Sequence, residues 1–411
     1  MRRLIKFLLF FCVFIFLSNS AGAQVLQNFD IVGHYFVDGD TITGLCMQDH
    51  YLYITENYDS LRIFDLSLAD TLEQIGVCAA PYIDNLFING DILVGVAFNH
   101  WNSFSIFDVS SPYSPQMIFS LLYGFLIIPN VDFQGNFIYL PTVCDLCTPG
   151  LYVYDITAPS NPILADHLPY GEGFDIDLYR DFAYETTFSY TEIAVIDISN
   201  PYSVQLANII HEHGGGVKVY GNHLFIGGPI WYGSDPVRVY SLQNPGAPFL
   251  KYEIPTSFGN TIRIEIVNGY LFALNWLSGL IMFDIGGFSA PESLGFVDLP
   301  ADTNFVLPQI AIKDSIIYFS NLEYGLYKLA YTGGEMVNTG DANRDGDVNG
   351  LDVVYLVNYF KGLGPAPPDP QERGDTNGDC TFNGLDVIYL VGYLRGGPEP
   401  IRGFCYEPPP D

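Results

Sequence analysis

LRIFDLS, at residues 61–67, decides how the rest of the chain is read, because the phrase returns six times. The copies are FSIFDVS (104–110), LYVYDIT (151–157), IAVIDIS (193–199), VRVYSLQ (237–243), LIMFDIG (280–286) and, degraded, GLYKLAY (325–331). Asp65, Asp108, Asp155, Asp197, Ser241 and Asp284 mark the same position, with Lys328 as the reading for the seventh copy, giving intervals of 43, 47, 42, 44, 43 and 44 residues. Before each phrase lie two apolar-alternating strands around a tight-turn residue, as in VDFQGNFIYLP and VKVYGNHLFIG. After six of them comes another strand, as in LEQIGVC or PFLKYEI. Four short strands in about 44 residues make a propeller blade. The seventh unit lacks its last strand, and FDIVGHYFV (29–37), ahead of the first blade, has the character to supply it and so remove an open sheet edge. The expected fold is mainly β: a seven-bladed β-propeller over residues 24–331, closed by its N-terminal strand.

The phrase xLxVxDISxP, with its preceding strand pair, resembles the LVIVD-type repeats of secreted bacterial propellers. The resemblance covers roughly residues 29–331 and implies fold and export rather than a chemistry. The repeated aspartates read as acceptors for turn N–H groups, since an active site needs one unique constellation. The unique polar residues of the inner strands are the candidates for the channel mouth: Glu172, Asp175, Asp177, Asp132 and Glu265. Alternation puts Asp175 and Asp177 on one face, as a carboxylate pair requires. His211 and His213 could share a metal on a strand, but the Gly214–Gly216 run that follows reads as a solvated loop.

The 411 residues are 49% apolar, enough for a large domain and a small one. Residues 1–23 have a basic start (Arg2, Arg3, Lys6), an apolar run from Leu8 to Leu17 and an Ala21-Gly22-Ala23 end, the pattern of a cleaved secretory signal. Against 46 Asp and Glu stand 16 Lys and Arg, a formal charge of −30 that repels phosphate backbones and attracts divalent cations. Export permits disulfides. Cys380 and Cys405 can close a loop near the C-terminus, Cys144 and Cys147 form a CDLC turn read as structural, and Cys46 and Cys78 are left unpaired.

At residue 341 the pattern changes. DANRDGDVNGLD (341–352) returns as DTNGDCTFNGLD (375–386). Oxygen side chains stand at positions 1, 3, 5, 9 and 12: Asp341, Asn343, Asp345, Asn349 and Asp352, then Asp375, Asn377, Asp379, Asn383 and Asp386. The backbone carbonyls of Asp347 and Thr381 fill position 7. Hard oxygens at this spacing wrap Ca2+ in the EF-hand manner, so two ions are expected. After each loop an apolar stripe at helical spacing follows, Val353, Leu356, Val357 and Phe360, copied as Val387, Leu390, Val391 and Leu394. Residues 332–340 and 363–373 read as linkers without entering helices.

These duplicated segments resemble a dockerin module over about residues 340–405, followed by a Pro-rich tail at 406–411. The resemblance implies a small α-helical, duplicated EF-hand-like domain that binds calcium and docks onto a cohesin-like domain in extracellular polysaccharide breakdown. Two departures stand out: Cys380 at the Gly position of loop two, and Gly350-Leu351 and Gly384-Leu385 where cellulosomal dockerins often have Ser or Thr. The expected function is a secreted, non-catalytic binding or scaffold propeller tethered through calcium. The alternative is a dockerin-bearing glycoside hydrolase or lyase with its site at the propeller mouth.

Overall fold

A computed structural model describes residues 25–35, 41–67, 72–97, 103–122, 126–144, 148–188, 191–228, 235–256, 261–275, 279–298, 309–313, 315–321, 325–368 and 370–408. The expected signal at 1–23 lies outside them. Seven antiparallel sheets stand in chain order as blades. The first is Ile42–Gln48, Tyr51–Glu56, Ser60–Asp65 and Glu73–Ala79. Blades 2 to 6 repeat it from the inner strands beginning at Asn85, Asp132, Gly173, Val217 and Thr261.

In blade 7 the outer strand comes from the other end of the chain: Phe29–Tyr35 pairs with Gly325–Tyr331, so the ring closes through both termini of the domain. The three residues Val25–Gln27 add a fifth strand to blade 6, on Glu292–Asp298, which the repeat pattern did not announce. Apolar side chains on both faces of each sheet pack between blades; one such cluster joins Phe29 and Tyr327 of blade 7 to Phe272 and Val297 of blade 6.

The repeated aspartate is a turn acceptor. Asp65, Asp108, Asp155, Asp197 and Asp284 each take the N–H two residues on, at 2.8–3.0 Å, and Ser241 does the same through Oγ at 3.3 Å. The hydroxyls of Ser67, Ser110, Thr157 and Ser199, and after them these N–H groups with the Tyr202 hydroxyl on Asp155, hold Asp65, Asp108, Asp155 and Asp197 below the usual carboxylate range. Their contribution is therefore present above the unfolded pKa and lost as pH falls through the folded one. Strand register corrects the seventh copy: Asp65 faces Tyr51 and Ala330 faces the equivalent Ile316, so Ala330, not Lys328, holds the repeat position.

Three of the five carboxylates expected at the channel mouth clip one blade to the next. Asp132 accepts from Leu178 N at 2.9 Å, Asp175 from Val217 N at 2.9 Å and Asp177 from Val219 N at 2.5 Å. Asp175 and Asp177 thus share a face, as alternation requires, but each is committed to the neighbouring inner strand. His211 stands 3.4 Å from Glu192 in an exposed loop, and among the described residues neither it nor His213 joins a cluster of three metal-ligating groups.

One polar residue breaks the apolar register. Glu185 occupies the place held by Ile54, Leu140, Ile226 and Phe319 in other blades, is fully buried, and neither carboxylate oxygen has a hydrogen-bond partner. Burial pushes its pKa up to about 8, and that of Asp175 up to about 7. An acid with a raised folded pKa loses stability as pH climbs from its unfolded value towards the folded one. Glu185→Leu is therefore expected to raise the melting temperature by several degrees at pH near 8 and by little near pH 5. Calorimetry at both values checks this; a loss at both would mean that the carboxyl is used.

Candidate metal centre and docking face

Each of the two 12-residue segments folds by local polar chemistry. Asn349 and Asn383 cap the helices α1 (Gly350–Phe360) and α3 (Gly384–Tyr393), and Asp352 and Asp386 reach back to complete capping boxes. The twelve sequence-predicted positions come together as two copies of one arrangement. In loop one, Asp352 takes Asn343 N at 3.1 Å and Asn349 N at 2.8 Å; in loop two, Asp386 takes Asn377 N at 3.4 Å and Asn383 N at 2.7 Å. Asp341 takes Gly346 N at 3.2 Å, as Asp375 takes Cys380 N at 2.9 Å. Asn343 and Asn377 accept from Asp345 N and Asp379 N through Oδ1, and the carboxylates of Asp345 and Asp379 accept from Asp347 N and Thr381 N. Asn349 and Asn383 also donate to the position-7 carbonyls of Asp347 and Thr381, at 3.5 and 2.9 Å.

Electrostatics argues that something positive belongs here. Asp341, Asp352, Asp375 and Asp386 are all buried, and one oxygen of Asp375 has no hydrogen-bond partner. Burial, followed by the charge of Asp386, pushes the Asp375 carboxyl up to about 6, and burial raises Asp352 and Asp386 as well. The ion pair on these four is Arg373, 3.5 Å from Asp341. Buried carboxylates without a counter-charge are costly, and a hard dication bound by oxygens removes that cost. The residues present fit calcium.

The stripes pack as expected in their first members. Leu356 and Leu390 are buried with Ala342, and Val353 and Val387 lie against them. Phe360 and Leu394, the last members, are exposed instead, because α1 ends on Phe360 and Leu394 is the C-cap of α3. A short helix α2 (Pro370–Gly374) precedes loop two where a linker was expected; Pro370 suits a first helical turn. Cys380 does adopt a left-handed backbone, φ 67°, and it is bonded to Cys405. Among the other cysteines, Cys144 is disulfide-bonded, Cys147 lies outside the described residues, and Cys46 and Cys78 are free.

Sequence reading missed how this module sits on the propeller. Arg402, almost fully buried, bridges Asp284 of blade 6, at 2.7 and 3.1 Å, and Glu372 of α2, at 2.5 Å, above the ring of Tyr270. Phe404 enters the apolar cluster of blades 5 and 6 with Phe225, Ile254 and Ile285. Gly287 and residues 403–405 exchange two backbone hydrogen bonds, both at 2.9 Å. Lys251 meets Glu407 at 2.8 Å, Tyr220 donates to the Arg402 carbonyl, and the 332–340 segment is held by Tyr270 and Asn268 at Val337. The repeat aspartate of blade 6 therefore serves both its own turn and the strap at 401–407. The signal present in the sequence was a lone Arg-Gly-Phe-Cys run beyond the last helix.

Fold and site together define a class: a repeat propeller with an appended duplicated loop-helix module of the calcium-binding type. The dockerin type I domain model matches residues 339–395, and the LVIVD repeat model matches 96–122 and 171–211. The chain thus carries LVIVD repeats in its seven-bladed propeller and a C-terminal dockerin type I domain. Dockerin domains bind calcium and dock onto cohesins. Among solved structures, a functionally unknown protein from Desulfotomaculum acetoxidans DSM 771 is similar with a TM-score of 0.55 and 15% identity, covering 71% of this chain and 95% of that one. The periplasmic gluconolactonase PpgL of Pseudomonas aeruginosa is similar with a TM-score of 0.51 and 12% identity, covering 68% of this chain and 88% of its own. At these identities the likeness is one of fold. No curated protein matches the chain. Among the described residues, no helix is long and apolar enough to cross a membrane.

Proposed function

We propose that the protein is a secreted, non-catalytic binding propeller, tethered by its dockerin domain to a cohesin within an extracellular polysaccharide-degrading assembly. Two calcium ions sit one per loop. Asp341, Asn343, Asp345, Asp347, Asn349 and Asp352 serve the first, and Asp375, Asn377, Asp379, Thr381, Asn383 and Asp386 the second, Asp347 and Thr381 through their carbonyls. The observation that carries this is the twin set of buried carboxylates, alike in most of their backbone hydrogen bonds, without enough positive charge around them. The ion supplies a hub that fixes each loop against its helix.

The docking face follows from the same duplication. Leu351 and Val354 on α1 are exposed, as are their copies Leu385 and Ile388 on α3. Gly350-Leu351 and Gly384-Leu385 stand where Ser or Thr would make polar contacts, and Val354 and Ile388 one turn on widen the apolar surface, which selects a partner with an apolar counter-surface. The non-catalytic reading is supported by the commitment of Asp132, Asp175 and Asp177 to inter-blade hydrogen bonds. A cohesin panel on beads is the test. Capture in calcium that disappears with chelator, and with Leu351→Asp plus Leu385→Asp, is the expected result; capture indifferent to chelator would sink the tether.

A further inference from the structure

The inward residues of the inner strands stack in layers down the propeller channel, which holds a cavity of about 380 Å³. Counting back from each hairpin turn, one layer contains Asn130, Asp175, Gly216 and Arg263; the next towards the turns contains Phe87, Asp132, Asp177, Lys218 and Glu265. Most of the charges here are committed. The three aspartates hold backbone N–H groups, and Lys218 pairs with Glu265 at 3.5 Å.

Arg263 is the exception. It is only 8% exposed and lines the cavity, yet its guanidinium donates no hydrogen bond and has no carboxylate within 4.0 Å. The head group reaches across the channel to within 5.9 Å of the Phe87 ring centroid. Gly216 beside it leaves the room, since a Cβ there would lie 2.6 Å from Arg263 Cα. On the same layer the amide of Asn130, whose oxygen takes Val131 N, has both its N–H groups unused. The head group faces the open channel with its donors unspent, and Asp175 meets it only through space, by charge.

From this we propose that Arg263 and the Asn130 amide receive the carboxylate of a small acidic molecule inside the channel. The guanidinium fork matches a carboxylate bidentately. The acidic neighbours, four carboxylates against Lys218 and Arg263, oppose a doubly charged phosphate more than a singly charged group, and they accept hydrogen bonds from that group's remaining atoms. A uronic sugar and an amino acid both present that chemistry, and the cavity accommodates either. The inference rests on the reading of the propeller as a binding domain, not on the tether.

Calorimetric titration of the full chain, in calcium, tests it with D-galacturonate, L-glutamate, D-galactose and inorganic phosphate. At least one of the two carboxylates is expected to bind saturably, galactose and phosphate to bind more weakly or not at all, and Arg263→Gln to lose about tenfold or more in affinity. Arg263→Gln should melt no lower than the parent and still be captured by cohesin, which separates this outcome from failure of the tether. The proposal is overturned if neither carboxylate binds at millimolar levels, if galactose or phosphate binds as well, or if Arg263→Gln binds unchanged.

Discussion

Arg402→Ala should free the dockerin domain from the propeller. The guanidinium is buried between Asp284 and Glu372, and its removal leaves those two carboxylates facing each other with no cation between them. Breaking a fully buried pair costs about 3–5 kcal/mol; because both acids are roughly a quarter exposed, the lower end of about 3 kcal/mol is the expectation here. Phe404→Ala should act in the same direction by about 3–5 kcal/mol, since Phe404 is 5% exposed within the blade 5 and 6 cluster. The readouts are calorimetry, where one coupled transition should split into two, and protease sensitivity of the 332–340 segment. A single transition at the parent temperature in both variants would show that the strap holds nothing.

Calcium removal should produce the second large effect. Asp352→Ala and Asp386→Ala each remove a buried carboxylate that orders its loop through two backbone N–H groups, so each is expected to abolish one ion. The loss in affinity at that loop should exceed the roughly 10–100-fold typical of losing an outer-shell partner. Stoichiometry should fall from about two to about one per variant, with cohesin capture falling in parallel. The two loops should differ under reduction. Cys380 is held left-handed and bonded to Cys405, which the strap fixes to blade 6, so a reductant should weaken loop two and leave loop one. Equal weakening of both loops, or one ion in the parent protein, would contradict this.

Some of this architecture is written locally. The seven copies of one phrase and the alternation before them announce seven blades, because a strand's faces are set by a period of two residues within a single segment. The loops are equally legible. Their ligand-type residues, capping boxes and paired helix stripes depend on partners within twelve residues, and DANRDGDVNGLD and DTNGDCTFNGLD spell them out. Even the closing strand was visible, since blade 7 ran out of sequence while 29–37 had no blade of its own.

Other features needed the ring to close. Which N–H each channel aspartate meets is settled by the neighbouring blade, about 44 residues away, so Asp175 and Asp177 read as a pair in sequence and become two clips in space. The degraded seventh phrase was misaligned at Lys328 because no side chain marks Ala330; only pairing with Ile316 does. Arg402 finds Asp284 across 118 residues, and nothing local distinguishes that aspartate from its repeats. Arg263 sits two residues from Glu265 on the same alternation, but that its guanidinium donates no hydrogen bond is settled only once every blade has placed its neighbours. Periodicity and short-range hydrogen bonding belong to the chain itself, whereas burial and long-range charge pairing are properties of the assembled ring.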